Sequence, residues 1–267
     1  MSLLKIIKAE KKKADLLLTP RWEAFISRNR DLWLDESSIQ FIFDELGTPE
    51  RDRTNHFSAS SQGFCERRQV FNHEGVPPKP TDSDIHMIFH DGHFRHLKWQ
   101  ALMLYAGLID EVEVSCELEE FNLKGTIDAM ATHPERGKHG VEFKGANDRN
   151  YKFVLNEGPM EKHLLQIHAY MIATDYRLWS LIYENKNTQE WKEFVIEFDQ
   201  QIADEVIDSL KRMNTSVQQK VLPPVLSKCL DRKGPFRACP YSHICLDIPE
   251  PGWVKVKDDE LIIKRAS

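Results

Sequence analysis

The sequence predicts a mixed α/β fold of the α+β type, whose core elements follow one another as α–β–β–β–α–β. Alternating apolar and polar residues at 111–118, and again on both sides of a turn near position 135, indicate three consecutive strands. Apolar residues three and four positions apart, before and after these strands, indicate flanking helices. At 267 residues, the chain is long enough for one large domain or a domain with additions.

Residues 1–83 are predicted to form a helical region in front of this core. A basic amphipathic stretch and two further helices, the last capped at Ser37 or Ser38, open the chain. Another capped helix is expected at 58–71 and contains Cys65. A proline-rich stretch then marks the boundary to the core.

The core itself is predicted to span residues 84–198. It begins with a long helix that Asp82 or Asp84 can cap. The other core elements are a strand, a hairpin, a helix and two strands, at 111–118, 123–145, 160–174, 177–183 and 191–198. Residues 199–267 follow as a C-terminal region, with a helix capped by Asp199 and three of the five cysteines.

Composition disfavours two classes of protein. No apolar run approaches the roughly 18 residues that a membrane helix needs, and the first residues resemble neither a secretory signal nor a transit peptide. We therefore expect a cytoplasmic protein without a membrane partner. The net charge of −6 argues against a protein that coats nucleic acid, but it leaves room for an enzyme with a local basic groove.

The hairpin LKGTIDAMATHPERGKHGVEFKG concentrates the residues suited to catalysis. A seven-residue turn centred on Glu135 sets Asp128 opposite Glu142, and Lys144 joins their face because it lies two residues further along the strand. Two close carboxylates with an ammonium group can hold one or two Mg²⁺ or Mn²⁺ ions and activate water. A solvated hairpin face with an ordinary salt bridge would fit the same residues. The alternate residues are expected to bury on the other face: Ile127, Ala129, Val141 and Phe143.

Histidines are frequent on the long first helix of the core. His86, His90 and His93 lie near one helical stripe, and His96 is turned further round. Histidine is a common zinc ligand, so a zinc-stabilised interaction domain is one interpretation of this stripe. Exposed or structurally satisfied histidines are the other.

The helix at 160–174 offers a second set of polar side chains. Gln166 and Tyr170 lie four residues apart and share a face, and they suit the holding of a phosphate or a base. A surface glutamine and a half-buried tyrosine would show the same spacing. Lys124, Arg149 and Lys152, near the hairpin, are either phosphate contacts or solvated charges.

Together, four short motifs resemble the PD-(D/E)xK nuclease superfamily, and within it the RecB-like branch. They are GHFRH at 92–96, GTID at 125–128, EFK at 142–144 and QIHAY at 166–170. The resemblance covers about 84–183 and implies a restriction-endonuclease-like core. Three residues would then bind a divalent metal ion, Mg²⁺ or Mn²⁺: His96, Asp128 and Glu142. It also implies that Lys144 assists the attacking water and that Gln166 and Tyr170 position DNA.

The cysteines extend the resemblance to the iron–sulfur subgroup of that branch, which includes the AddAB nuclease and the CRISPR-adaptation nucleases. In that subgroup, four cysteines hold a [4Fe–4S] cluster, which implies the ligands Cys65, Cys229, Cys239 and Cys245. The nine residues between the second and third of these are more than is common there. Four thiolates would also suit tetrahedral zinc, and plain buried thiols are a further possibility. The Cys-x2-Cys pairs of zinc ribbons are absent, which favours the cluster, and Cys116 is expected in the core.

These observations predict a divalent-metal-dependent DNA exonuclease with a structural [4Fe–4S] cluster. We expect it to act on single-stranded DNA or DNA ends in recombination, repair or replication. A structure- or sequence-directed endonuclease on the same core is one alternative, and a non-catalytic zinc-stabilised DNA-binding scaffold is another. The phosphate-binding motif of helicases, GxxxxGK[ST], is absent, so a helicase or recombination protein is a candidate partner.

Overall fold

The computed structural model describes residues 15–29, 31–46, 54–257 and 260–265. The predicted basic stretch at the start of the chain lies outside these ranges. The helices are α1 Thr19–Arg28, α2 Glu36–Leu46, α3 Glu66–His73, α4 Ser83–Tyr105, α5 Asp148–Glu157, α6 Glu161–Thr174, α7 Gln200–Gln219 and α8 Pro235–Ala238. The strands are β1 Phe57–Ser58, β2 Glu111–Leu118, β3 Leu123–His133, β4 Gly137–Ala146, β5 Leu178–Asn185, β6 Trp191–Glu197, β7 Gly252–Lys257 and β8 Glu260–Arg265. The predicted mixed α/β fold is confirmed.

A six-stranded sheet forms the centre of the molecule. Its order is β1-β3-β4-β5-β6. β1 and β4 pair with different segments of one edge of β3, and β2 pairs with the opposite edge. β4 and β5 are parallel, so the chain must cross over between them, and this crossover contains α5 and α6. β7 and β8 form a separate antiparallel hairpin. Among the helices described, none combines the length and the apolar composition that crossing a bilayer requires.

Two apolar clusters cover the two faces of the sheet. Leu181 and Tyr183 belong to the larger cluster with residues of α3, α6 and α7, whereas Ile182 belongs to the smaller cluster with residues of α4. Successive residues of a strand point to opposite faces, so α6 and α4 lie on opposite sides of the sheet. The four residues expected to bury together are all buried, but Ile127 joins the larger cluster and the other three join the smaller one.

Four local predictions require correction. The predicted helix at 58–71 begins only after Cys65, because Phe57 and Ser58 pair with β3 and Gly63 has a positive φ of 81°. The hairpin turn is three residues long, not seven, because its strands continue to positions 133 and 137. An additional helix, α5, occupies the polar stretch between 145 and 160, for which no helix was predicted, and the Asn147 side chain caps it by accepting from Asn150 N–H at 2.9 Å. The cap of α2 is not a serine: the Asp35 carboxylate accepts from the backbone N–H of Ser38 at 2.8 Å.

A buried carboxylate attaches α1 to the sheet. Glu193 on β6 is only 2% exposed and sits at the start of that helix. It accepts hydrogen bonds from the backbone N–H groups of Leu17, Leu18 and Thr19, and from the hydroxyls of Thr19 and Ser180. Free N–H groups at a helix start favour a negative charge, so this contact stabilises the position of α1.

Replacing Glu193 with Ala is expected to lower the free energy of unfolding by about 3 kcal/mol, because it leaves several buried donors without an acceptor. Chemical denaturation measures the change. The matched control is Glu197→Ala on the same strand, where a 55% exposed side chain pairs with Arg136 and contributes about 1 kcal/mol at most. Equal losses in the two variants would contradict the attachment.

Candidate active site

The site forms where two strands separate. β3 pairs with β4 over 129–133, and the same edge of β3 pairs with β1 only at 123–124. Between these segments, residues 125–128 have no partner on that edge among the strands described. The N–H of Phe143 on β4 donates instead to a side chain, Asp128 Oδ2, at 2.8 Å. The sheet is therefore open at this point, and polar side chains take the place of the backbone ladder.

A tyrosine from α6 closes one end of this opening. The Tyr170 hydroxyl donates to the Thr126 carbonyl at 2.8 Å and accepts from Gln166 Nε2 at 3.0 Å. A Cβ added to Gly125 would lie 2.8 Å from Tyr170 Cε1 and from Ala59 Cβ. Only glycine therefore allows the tyrosine ring to lie against β3, which explains the first residue of the GTID motif.

The strand register continues to the two carboxylates. Ala129 pairs with Val141, so the next facing positions are Asp128 and Glu142, as the sequence predicts. Asp128 is 8% exposed and Glu142 is 1% exposed. Both carboxylates are thus drawn out of water beside each other, which requires compensating positive charge.

Four other side chains converge on this pair. Lys144 Nζ and Gln166 Nε2 donate to the same atom, Glu142 Oε1, at 2.6 and 2.7 Å. His96 Nδ1 lies 3.4 Å from Asp128 Oδ1. Tyr170 is linked to the group through Gln166. The structure therefore brings together all six residues that the sequence placed in one site.

The second oxygen of Glu142 is the atom that identifies a place for a cation. Oε2 is buried and has no hydrogen-bond partner among the residues described. A buried carboxylate oxygen without a partner is costly, and a cation would remove that cost. Two carboxylates and an imidazole are a donor set that suits Mg²⁺ or Mn²⁺. No group of three such side chains within the described ranges already has ligand geometry, so the fit rests on the donor chemistry and on this free oxygen.

The two carboxyls differ in acidity. Burial, together with the neighbouring Asp128 charge, raises the pKa of Glu142 to about 7. Burial would also raise the pKa of Asp128, but the charges of His96 and Lys144 outweigh it and hold that pKa below its ordinary value. Burial lowers the pKa of His96, and the charge of Asp128 more than reverses this effect. Opposite shifts in adjacent carboxyls are typical of functional sites.

A buried glutamine, which the sequence analysis missed, supports the site from α4. Gln100 lies one turn after His96 and is fully buried. Its Nε2 donates to the Asp128 carbonyl and to Glu113 Oε1, both at 2.8 Å. This contact replaces the β2–β3 pairing at Asp128, which is interrupted where Glu113 has a positive φ of 50°. The four-residue spacing from His96 was the available signal.

Other candidate residues lie apart from this group. His86, His90 and His93 are on α4, and they take part in no metal-holding group within the described ranges. Lys124 pairs with Glu117 at 3.0 Å and Lys152 pairs with Asp148 at 2.7 Å, so nearby carboxylates compensate both. A pocket beside the site is lined by His96 and Lys144 and by neither of the two carboxylates.

The four cysteines of the expected cluster lie in one region. Cys65 is at the start of α3, and the other three are in the segment 229–245. Burial raises the pKa of Cys245 to about 11, with smaller contributions from the thiols of Cys65, Cys239 and Cys229, and against the lowering effect of the Arg67 charge. Within the described residues, no three of these thiols are already placed to hold a metal ion. Cys116 packs partly buried against the core, as expected.

A buried arginine joins the same two parts of the chain. Arg67 on α3 is 1% exposed and donates to the carbonyls of Pro223 at 2.8 Å and Cys245 at 3.3 Å. It also pairs with Glu250 at 3.2 Å. These contacts dock α3 on the C-terminal region, and sequence alone did not distinguish Arg67 from a solvated helix residue.

No family model and no curated protein matches the sequence. Among solved structures, the chain is similar to an alkaline exonuclease from Laribacter hongkongensis, at 11% identity and a TM-score of 0.49, over 62% of this chain and 89% of that one. It is also similar to SSO0001, at 15% identity and a TM-score of 0.46, over 78% and 93%. A phage-related exonuclease from Haemophilus somnus 129PT shows 12% identity and a TM-score of 0.42, over 61% and 94%. At these sequence identities and TM-scores, the structural similarities do not assign the chain to a family.

Proposed function

We propose that this chain is a divalent-metal-dependent DNA nuclease, and more specifically an exonuclease that acts on single strands or DNA ends. The free, buried Oε2 of Glu142 beside Asp128 carries the proposal. Both carboxylates lie at the point where β3 and β4 separate. Two adjacent buried carboxylates destabilise the folded protein, and a bound cation would offset that cost.

Each residue of the group has a distinct task in this proposal. Asp128, Glu142 and His96 would hold Mg²⁺ or Mn²⁺, which when bound supplies an activated water and stabilises negative charge on the phosphodiester. Lys144, held by Glu142 in the site, would orient that water and oppose the charge that develops on the phosphate.

Gln166 and Tyr170 would position the substrate indirectly. Their side chains are buried, at 4% and 1% exposure. Gln166 fixes Glu142 Oε1, and Tyr170 fixes the edge of β3 next to Asp128. The expected role in holding DNA would then act through the placement of the two carboxylates.

We further propose that Cys65, Cys229, Cys239 and Cys245 hold a structural [4Fe–4S] cluster. The donors are four thiols, which suit this cluster, and zinc is the weaker alternative because the Cys-x2-Cys pairs of zinc ribbons are absent from the sequence. The cluster would cross-link the N-terminal region 1–83 to the C-terminal region 199–267 around the nuclease core 84–198. A helicase or recombination protein is the proposed partner.

The function is tested with protein purified without oxygen. We expect nucleotides to be released from end-labelled linear single-stranded DNA in Mg²⁺ or Mn²⁺, and EDTA to abolish the release. Circular single-stranded DNA serves as the matched substrate without ends. Cutting of the circle would favour the endonuclease alternative, and no cleavage of linear or circular DNA with either metal ion would leave the non-catalytic scaffold.

A further inference from the structure

Two further cations lie beyond the candidate site, Lys162 on α6 and Arg68 on α3. Lys162, Gln166 and Tyr170 are spaced four residues apart and therefore share one face of this helix. Gln166 contacts Glu142, so Lys162 is the next position on the face that leads away from the carboxylates. Burial lowers the pKa of Lys162, and the Lys144 charge lowers it further, which shows that the two ammonium groups influence each other.

The loop before α3 is pressed against this lysine. Gly63 has a φ of +81°, and a Cβ there would lie 2.9 Å from Lys162 Cα, so glycine is required on both grounds. The buried side chain of Gln69 donates to the Phe64 carbonyl at 3.1 Å and fixes the loop. Phe64 is thereby held beside the first turn of α6, with 36% of its surface exposed.

Two cations flank the exposed phenylalanine ring. The Arg68 guanidinium lies 4.3 Å from the Phe64 ring centroid, and Lys162 Nζ lies 6.0 Å from it. A cation placed over the face of an aromatic ring is attracted by the ring, so such contacts hold a cationic side chain in place. The ring therefore presents two ordered positive charges at the surface.

Neither cation forms an ion pair within the part of the chain that the structure describes. Most other candidate cations near the site do: Lys98, Lys124, Lys152, Lys186 and Arg95 all pair with Asp or Glu. Arg68, Lys162 and Lys144 thus form a group of positive charges beside the two carboxylates. Of these three cations, only Lys144 pairs with a carboxylate of the described residues, that of Glu142. An extended anion with regularly spaced charges would compensate the other two, and a nucleic-acid backbone has that form.

We propose that Arg68 and Lys162 bind the phosphates of the DNA strand on one side of the scissile bond, with Phe64 holding both cations in position. This inference rests on the proposed nuclease function and adds the path of the substrate to it. The strand would pass from Lys144 along the first turn of α6 and across the Phe64 loop to the start of α3. It would leave the neighbourhood of the site towards the cysteine region.

The test measures binding of a fluorescein-labelled single-stranded oligonucleotide by anisotropy, without divalent metal ions, across a series of KCl concentrations. Lys162→Gln and Arg68→Gln are each expected to weaken binding about 5-fold at about 0.1 M KCl, and to reduce the slope of log K against log[KCl] by about 0.7. Lys211→Gln, which removes an exposed charge from α7, is the matched control and should bind as the wild type does. In Mg²⁺, Lys162→Gln and Arg68→Gln should each raise the KM for DNA and leave kcat unchanged.

The outcomes separate this inference from the function it rests on. Wild-type affinity and slope in both variants, in a protein that cleaves DNA, would overturn the inference and leave the nuclease proposal standing. A wild-type protein that neither binds nor cleaves DNA would overturn both. Phe64→Leu keeps the apolar bulk and removes the ring, so it should weaken binding at unchanged melting temperature, and wild-type affinity there would refute the positioning role of Phe64.

Discussion

Replacing Glu142 with Gln is expected to reduce DNA cleavage by about 10³-fold or more, and at the same time to raise the melting temperature of the metal-free protein. The amide keeps the size of the side chain but loses the charge that a metal ion needs. The gain in stability follows from the pKa. Burial raises the pKa of Glu142 from 4.5 to about 7, so the folded protein binds a proton that the unfolded chain has released. The protein therefore loses stability as the pH rises from about 4.5 to about 7.

At about pH 8 the cost of burying the charged Glu142 carboxylate is fully present. Removing that charge should stabilise the protein by the order of 1–3 kcal/mol. At about pH 4, where the carboxyl is protonated in both states, the variant and the wild type should unfold alike. Thermal denaturation in EDTA at the two pH values measures the effect, and Glu197→Gln is the control for an exposed carboxylate. A variant that cleaves at the wild-type rate, or that is destabilised at about pH 8, would contradict the account.

Replacing Cys245 with Ser is expected to remove the proposed cluster and to destabilise the protein by about 4 kcal/mol or more. The cluster would close a loop of more than 160 residues between Cys65 and Cys229, and such a cross-link strongly restricts the unfolded chain. The serine cannot replace the thiolate as a ligand, and α3 would then be joined to the C-terminal region only by non-covalent contacts such as those of Arg67, Glu66 and Asn72.

Iron, sulfide and zinc content and the melting temperature measure this effect in protein purified without oxygen. We expect about four irons per wild-type chain and a large loss in the variant. Cys116→Ala is the matched control, because its thiol lies against the core and should leave the iron content unchanged. Wild-type iron content and stability in Cys245→Ser would refute the structural cluster, and stoichiometric zinc in the wild type would favour the zinc alternative.

The central hairpin was predictable because its information is local. Alternation fixes which residues share a face, and the symmetry about Glu135 sets Asp128 opposite Glu142 whether the turn has seven residues or three. Similar local signals located α4, α6 and α7. For α7, the predicted cap is present: the Asp199 carboxylate accepts from Gln201 N–H at 2.8 Å. Helix α5 has only ten residues and lies in a stretch rich in polar residues, so it was missed although Asn147 is a favoured cap.

The interactions that join distant parts of the chain were not predictable. Glu193 and Arg67 look like ordinary surface charges in their own segments, and only their partners, more than 150 residues away, show why each is buried. The separation of β3 from β4 is likewise invisible in the pattern, because it depends on Tyr170 and β1 occupying the edge of β3. The same holds for Arg68 and Lys162, which come together only through Phe64.

The claim that the open edge between β3 and β4 is a metal site is tested most directly by Mn²⁺ binding to the metal-free protein, followed by electron paramagnetic resonance and by calorimetry. The account predicts that the wild type binds one or two ions and that Glu142→Gln and Asp128→Asn lose this binding while remaining folded. Binding of Mn²⁺ by both variants with the wild-type affinity would contradict it, because the ions would then be held elsewhere.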